Sequence, residues 1–182
     1  MSSSTSGAAA QVSVAAPEGA KDGGTLRVTS MSFGDGQAIP MDYVFTGCGG
    51  QNRSPQLAWT GAPAATKSYV VTMFDPDAPT GSGFWHWLAY DIPASVTSLD
   101  AGAGASESPA GGHGGYTDFG MNSYGGPCPP KGHGRHRYTL TVYALDVDTL
   151  PGASKGITGA RLVFSMRGHI LAMGSITGLF GH

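Results

Sequence analysis

The densest group of side chains capable of acid–base or anion chemistry lies in residues 74–87, which read F-D-P-D-A-P-T-G-S-G-F-W-H-W. Asp75 and Asp77 follow directly on an apolar run, and His86 enters the next apolar run. The two prolines of this stretch restrict its backbone, because proline fixes φ and holds the preceding residue extended. Rigidly held carboxylates beside a histidine predict the rim of a polar pocket.

A second polar segment reads G-P-C-P-P-K-G-H-G-R-H-R-Y and covers residues 126–138. Its last three residues, His136, Arg137 and Tyr138, begin another apolar run. We predict that they meet the acidic stretch in one hollow. There the imidazoles donate hydrogen bonds to a phosphate or sulfate, while a carboxylate fixes their tautomer. The glycine-rich backbone adds N–H groups that an anion also accepts.

Two other chemistries are weaker readings of the same segment. His133 and His136 have H-x-x-H spacing with Cys128 nearby, but zinc sites need three or four convergent ligands. Cys128 could act as a nucleophile with one of these histidines as base, although a small residue in a tight turn is the simpler interpretation. Ser82 lies between glycines outside any G-x-S-x-G elbow. No metal and no cofactor are predicted.

The composition excludes several classes of protein. Only 12% of the 182 residues are charged, the formal net charge is −2, and lysine and arginine form no cluster. A nucleic-acid surface is therefore not expected. No apolar run is long enough for a transmembrane segment. The first residues, M-S-S-S-T-S-G-A-A-A, lack the pattern of a secretory signal, so a cytoplasmic location is predicted unless a leader was removed.

The two cysteines, Cys48 and Cys128, both lie in loops rich in glycine and proline. They could pair, bind a metal or remain free thiols. Two cysteines do not define a disulfide framework, and a bridge is the less favoured of these interpretations.

The apolar runs predict a mostly β domain over residues 25–182, behind a flexible tail of serine, alanine and glycine at 1–24. Strands are expected at 26–31, 39–45, 57–59, 68–74, 85–92 and 138–145, then a helix over 158–171 and a short strand at 175–177. The run at 68–74 is expected to be buried on both faces. A glycine-rich excursion over 101–126 is too long for an ordinary connection.

Strict alternation along residues 85–92 divides their side chains between two faces. One face is predicted to carry His86, Leu88, Tyr90 and Ile92. The other is predicted to carry Trp85, Trp87 and Ala89.

Together, K-S-Y-V-V-T-M-F-D-P-D-A-P-T-G-S-G-F-W-H-W-L and G-P-C-P-P-K-G-H-G-R-H-R-Y resemble the phosphatidylethanolamine-binding protein family. The similarity is greatest to its bacterial branch, described as Raf kinase inhibitor-like, and it covers roughly residues 26–180. It implies a phosphatidylethanolamine-binding-protein-like fold, mostly β, with a large antiparallel sheet, a smaller sheet and a C-terminal helix.

The resemblance also implies a small cavity that binds phosphate, another small anion or a phospholipid head group. The predicted ligand-binding residues are Asp75, Asp77, His86, Gly126, Pro129, Pro130, His136 and Tyr138. A binding protein, with regulation of a partner protein left open, is favoured over an enzyme. The alternative is an isomerase, cyclase or hydrolase that uses Asp75, His86, His136 and Tyr138 for general acid–base chemistry. A homodimer is also left open.

Overall fold

A computed structural model describes residues 24–182 of the chain. Within that range it has nine strands and one α-helix: β1 (Gly24–Thr25), β2 (Arg27–Thr29), β3 (Leu57–Thr60), β4 (Ser68–Asp75), β5 (Phe84–Pro93), β6 (Ser98–Leu99), β7 (His113–Gly114), β8 (His136–Leu145), α1 (Gly159–Ser165) and β9 (Ile170–Phe180). Short 3₁₀ helices lie at Met41–Tyr43, Thr46–Cys48, Ala103–Ala105 and Pro109–Gly111.

The strands form two sheets, as expected for the predicted fold class. The larger sheet has the order β1-β9-β8-β4-β5-β7, and the smaller has the order β2-β3-β6. Every strand pair is antiparallel except β1 with β9, so the larger sheet is mixed rather than purely antiparallel. The long central strands β5, β4 and β8 lie side by side in that order, and this places the end of β4 between the starts of β5 and β8.

Apolar side chains pack on both faces of the larger sheet. Tyr69, Val71 and Met73 of β4 join the cluster that faces the smaller sheet, whereas Val70 joins the cluster beneath α1. This division confirms that β4 is buried on both faces, as its continuous apolar sequence predicts. The domain therefore has three layers, with the central sheet between the smaller sheet and the helix.

The predicted alternation along β5 is confirmed for residues 87–90 and wrong at both ends of the strand, because two β-bulges interrupt it. Trp87 pairs with Met73 while Trp85 pairs with Phe74, which leaves His86 as the extra residue of the first bulge. The second bulge lies near Asp91, whose φ is 55°. A bulge shifts which side chains face each layer and often lies next to a functional site.

As a result of these bulges, the side chains of β5 divide differently between the two clusters. Trp87, Ala89 and Ile92 belong to the cluster facing the smaller sheet. Leu88 and Tyr90 belong to the other cluster, against which Trp85 packs.

The C-terminal helix is shorter than predicted. Leu162, Met166 and Ile170 recur at helical spacing and lie in one cluster, but α1 ends at Ser165. Gly168 adopts a φ of +80°, which favours glycine and turns the chain back. Ile170 consequently begins β9, an eleven-residue strand where only residues 175–177 were predicted.

Three further predictions concern the strand at 39–45, the N-terminal tail and membrane-spanning segments. The strand predicted at 39–45 is wrong, since a 3₁₀ helix at Met41–Tyr43 follows Pro40 there. Of the predicted tail, residues 1–23 lie outside the described residues, whereas Gly24 pairs with Ala172 in β1. Within residues 24–182, no helix is long and apolar enough to span a membrane.

Candidate functional site

A cavity of about 200 Å³ opens where β4, β5 and β8 come together. Its walls are Asp75, Ala78, Pro79, Thr80, Phe84, His86, Phe119, Cys128, Pro129, Pro130, His136 and Tyr138. The two polar segments of the sequence thus meet in one hollow, as predicted. Drug-sized pockets usually measure about 300–1,000 Å³, so this cavity suits a small ligand or the end of a larger one.

Asp75, the last residue of β4, is 3% exposed and lies against His136 of β8. One carboxylate oxygen, Oδ2, accepts a hydrogen bond from Nδ1 of His136 at 2.8 Å, and Oδ1 accepts one from the backbone N–H of Asp77 at 2.8 Å. The carboxylate therefore fixes the His136 tautomer with the proton on Nδ1, which leaves Nε2 to face a second partner.

His86 is oriented by the backbone and not by a carboxylate. Its Nδ1 lies 2.8 Å from the carbonyl oxygen of Gly125, and because a carbonyl only accepts, Nδ1 carries the proton. Burial lowers the pKa of His86, which keeps the ring neutral at neutral pH. Nε2 of the neutral ring is then a hydrogen-bond acceptor, whereas the sequence analysis expected a donor.

Tyr138 lies two residues after His136 on the same face of β8. Its hydroxyl is buried and makes no hydrogen bond of standard geometry within residues 24–182, although Asp75 lies close enough to interact with its proton. Burial, reinforced by the negative charge of Asp75, raises the pKa of Tyr138, so the hydroxyl keeps its proton. A buried hydroxyl without a partner costs about 1–3 kcal/mol, which makes this group a donor available to a ligand.

Asp77 lies outside the cavity lining and binds Arg137 instead. Oδ1 accepts from Nη2 of Arg137 at 2.7 Å, and Oδ2 accepts from Nε at 2.9 Å. The backbone N–H of Arg137 also donates to Oδ2 at 2.9 Å. Asp77 thereby ties the turn after β4 to the start of β8, and its predicted contact with a ligand stays a prediction.

The wall opposite the sheet is a loop held by a disulfide. Cys48 and Cys128 are bridged, so the less favoured interpretation of the two cysteines is the right one. The bridge also removes Cys128 as a nucleophile.

Gly126 lies beside this wall and outside the cavity lining. Its N–H donates to Oδ1 of Asn52 at 2.7 Å, and a Cβ there would lie 2.2 Å from a backbone oxygen of Tyr43.

Some residues of the site were missed from the sequence. Phe84 and Phe119 stand 4.9 Å apart, ring centre to ring centre, and line the apolar side of the cavity. The carbonyl oxygen of Gly125 orients His86. Phe84 could have been found, since it precedes His86 by two residues on a strand; nothing local marks Phe119 or Gly125.

His133 and His136, the H-x-x-H pair, do meet. Nδ1 of His133 lies 2.7 Å from Nε2 of His136. No third His, Cys, Asp or Glu of the described chain joins them in a geometry that could hold a metal ion.

A family model described as phosphatidylethanolamine-binding protein matches residues 29–181. Among curated proteins, the UPF0098 protein YbhB of Escherichia coli is 45% identical over 159 residues, which are 85% of this chain and 99% of that protein. The UPF0098 protein YbcL of the same organism is 42% identical over 160 residues, 85% of this chain and 87% of YbcL.

Solved structures are similar over the same region. The crystal structure of E. coli YbcL, described as a new member of the mammalian PEBP family, matches with a TM-score of 0.81 at 40% identity. The match covers 86% of this chain and 98% of that chain. The crystal structure of CT736 of Chlamydia trachomatis, described as a phosphatidylethanolamine-binding protein homolog, matches with a TM-score of 0.75 at 32% identity. This match covers 87% of this chain and 98% of that chain.

Proposed function

We propose that this chain, which belongs to the phosphatidylethanolamine-binding protein family, binds a small phosphorylated ligand that brings hydrogen-bond donors of its own. The family is the one predicted from the two motifs. Membership supports a ligand-binding protein of this type, and the chemistry of the cavity supports the narrower choice of ligand.

The buried hydroxyl of Tyr138 carries the proposal. It is a buried donor that makes no hydrogen bond of standard geometry, and it lines a cavity in which Asp75 and His86 accept. Asp75 presents carboxylate oxygens, and neutral His86 presents the lone pair of Nε2. A ligand that fits must therefore offer one acceptor oxygen and at least one N–H or O–H group.

Two ligands share this chemistry. Dihydrogen phosphate has acceptor oxygens for Tyr138 and hydroxyl groups for Asp75 or His86. A phosphoethanolamine head group has the same oxygens, and its ammonium group can donate to Asp75. Sulfate has no proton at neutral pH, so it could not donate a hydrogen bond to the carboxylate of Asp75. We therefore expect phosphate and phosphoethanolamine to bind and sulfate to bind weakly.

The test measures thermal stability of the ligand-free protein and of protein in phosphate, phosphoethanolamine or sulfate at equal ionic strength. A ligand that binds only the folded state stabilises it by RT ln(1 + [L]/Kd). Phosphate should raise the melting temperature and sulfate should not. An equal shift with both anions would contradict the proposal.

The Tyr138→Phe variant removes only the hydroxyl. Without ligand it should be as stable as the parent or about 1 kcal/mol more stable, because an unpartnered buried group is gone. Its shift with phosphate should fall. Tyr124→Phe is the matched control: that hydroxyl donates to the carbonyl of Tyr43 at 2.6 Å, so the change should lower stability and leave the phosphate shift intact.

The acid–base alternative uses the same groups and stays a prediction. Regulation of a partner protein likewise stays a prediction.

A further inference from the structure

His133 stands outside the cavity lining and is exposed, yet it is hydrogen-bonded to the buried core of the site. Nδ1 of His133 lies 2.7 Å from Nε2 of His136, and Nδ1 of His136 lies 2.8 Å from Oδ2 of Asp75. A chain of three side chains thus runs from solvent to the buried carboxylate. Both ring nitrogens of His136 are occupied.

The proton positions in this chain follow from Asp75. The carboxylate accepts from Nδ1 of His136, so in a neutral ring Nε2 is an acceptor. Nδ1 of His133 must then be the donor. His133 gives His136 the same kind of hydrogen bond that a hydroxyl group of a bound phosphate would give.

The His133 side chain can move independently of its loop. It is exposed, and its flanking glycines, Gly132 and Gly134, have φ values of 76° and 84°. Two backbone hydrogen bonds hold the loop, from the N–H of Gly132 to the carbonyl of His182 at 2.9 Å and from the N–H of His133 to the carbonyl of Pro130 at 3.1 Å. Neither bond involves the imidazole, so rotation about its own side-chain bonds takes the His133 ring away from His136 without disturbing β8.

We propose that His133 is a displaceable latch, which occupies Nε2 of His136 in the empty protein and gives it up to the ligand. The latch rests on the proposed function, because the ligand must reach His136. His133 is then a residue that sets affinity without contacting the ligand in the bound state.

The test compares phosphate affinity of the full chain and of His133→Ala by calorimetry at pH 7.5. At pH 7.5 the variant should bind roughly 2- to 10-fold more tightly, the range expected when a net hydrogen bond no longer has to be broken. His113→Ala, which removes another exposed histidine remote from the cavity, is the control and should match the parent.

Other outcomes separate the two proposals. Equal affinity of parent and His133→Ala at pH 7.5 would overturn the latch and leave the proposed function standing. Weaker binding by the variant would also overturn it, because His133 would then hold the ligand itself. Absence of phosphate binding in both proteins would overturn the proposed function and the latch with it. In ligand-free protein, ¹⁵N spectra should show a changed His136 Nε2 resonance in His133→Ala, and an unchanged one would contradict the hydrogen bond.

Discussion

The cavity has two walls of different construction. The sheet wall consists of the end of β4 and the starts of β5 and β8. Asp75, His136 and Tyr138 lie on backbone that is paired in the sheet, and His86 lies at the bulge of β5 between two paired residues. The loop wall consists of Phe119 and residues 128–130, which belong to no strand. The polar side chains that a ligand would meet lie on the wall whose backbone is already rigid.

The loop wall obtains its order from individual bonds. Two of them are the disulfide between Cys48 and Cys128 and the hydrogen bond from the N–H of Gly126 to Oδ1 of Asn52. The third is the hydrogen bond that the carbonyl oxygen of Gly125 accepts from His86. The sheet thus supplies the polar side chains, while the disulfide and single hydrogen bonds close the space in front of it.

Removing the acid of the sheet wall should have the largest effect. Asp75→Ala leaves His136 buried without its acceptor, and breaking a buried pair typically costs about 3–5 kcal/mol. Urea unfolding at pH 7 measures the change in free energy of unfolding. The phosphate-induced stabilisation should disappear as well. A loss below about 1 kcal/mol would mean that the pair is not a structural element of this wall.

Removing the bridge of the loop wall should have the next largest effect. The cysteines are separated by 80 residues, and closing loops of such length contributes about 2–4 kcal/mol, mainly by restricting the unfolded chain. The Cys48→Ser/Cys128→Ser double variant is compared with the oxidised parent by urea unfolding. If phosphate affinity also falls, the loop wall depends on the bridge for its shape; unchanged affinity would show that the hydrogen bonds suffice.

Structural disulfides form and persist mainly in oxidising compartments. A bridge of this kind would persist in the secreted or periplasmic location that the sequence left open. The cytoplasmic location stays a prediction, and alkylation of protein taken from its native host without reductant would test it.

The smallest effect is expected at Asp77, two residues beyond Asp75 and outside the cavity. Its pair with Arg137 is partly exposed, so Asp77→Ala should cost only about 0.5–1 kcal/mol at pH 7. The phosphate-induced stabilisation should remain close to that of the parent. A loss as large as that of Asp75→Ala would remove the contrast between the inner and outer carboxylates.

The same variant has a defined pH dependence. Hydrogen bonds from the Arg137 side chain lower the pKa of Asp77, and burial only partly opposes them. The folded-state pKa is thus below the unfolded value of about 3.9, so the pair stabilises above that pH. The difference between parent and Asp77→Ala should be constant from pH 7 to about pH 5 and vanish as the pH falls through the folded-state pKa.

Much of the site could be predicted because its two motifs are local. Prolines and glycines mark where the chain leaves β4 at the acidic corner and where it enters β8 near Tyr138. The family resemblance rests on the same residues. The protonation pattern could not be predicted. It depends on Gly125 reaching His86, which no local pattern in the sequence indicates, and on the direction of the hydrogen bond between His133 and His136, which their H-x-x-H spacing does not give.

The misplaced elements have the same kind of cause. The spacing of Leu162, Met166 and Ile170 is helical, and only the turn at Gly168 assigns the last of them to β9. Along β5, strict alternation is a property of an unbroken ladder, and the bulge at His86 arises from pairing with β4.

By itself the sequence determined the family, the three-strand centre of the sheet and the identity of the acid, imidazole and phenol groups, because each depends on residue type and near neighbours. Tertiary structure alone decided that Asp75 faces the cavity while Asp77 faces Arg137, that His86 accepts where a donor was expected, and that the cysteines pair. Those outcomes depend on which groups distant in the chain come within hydrogen-bonding or bonding distance, and that is fixed only when the strands and the long loops have packed.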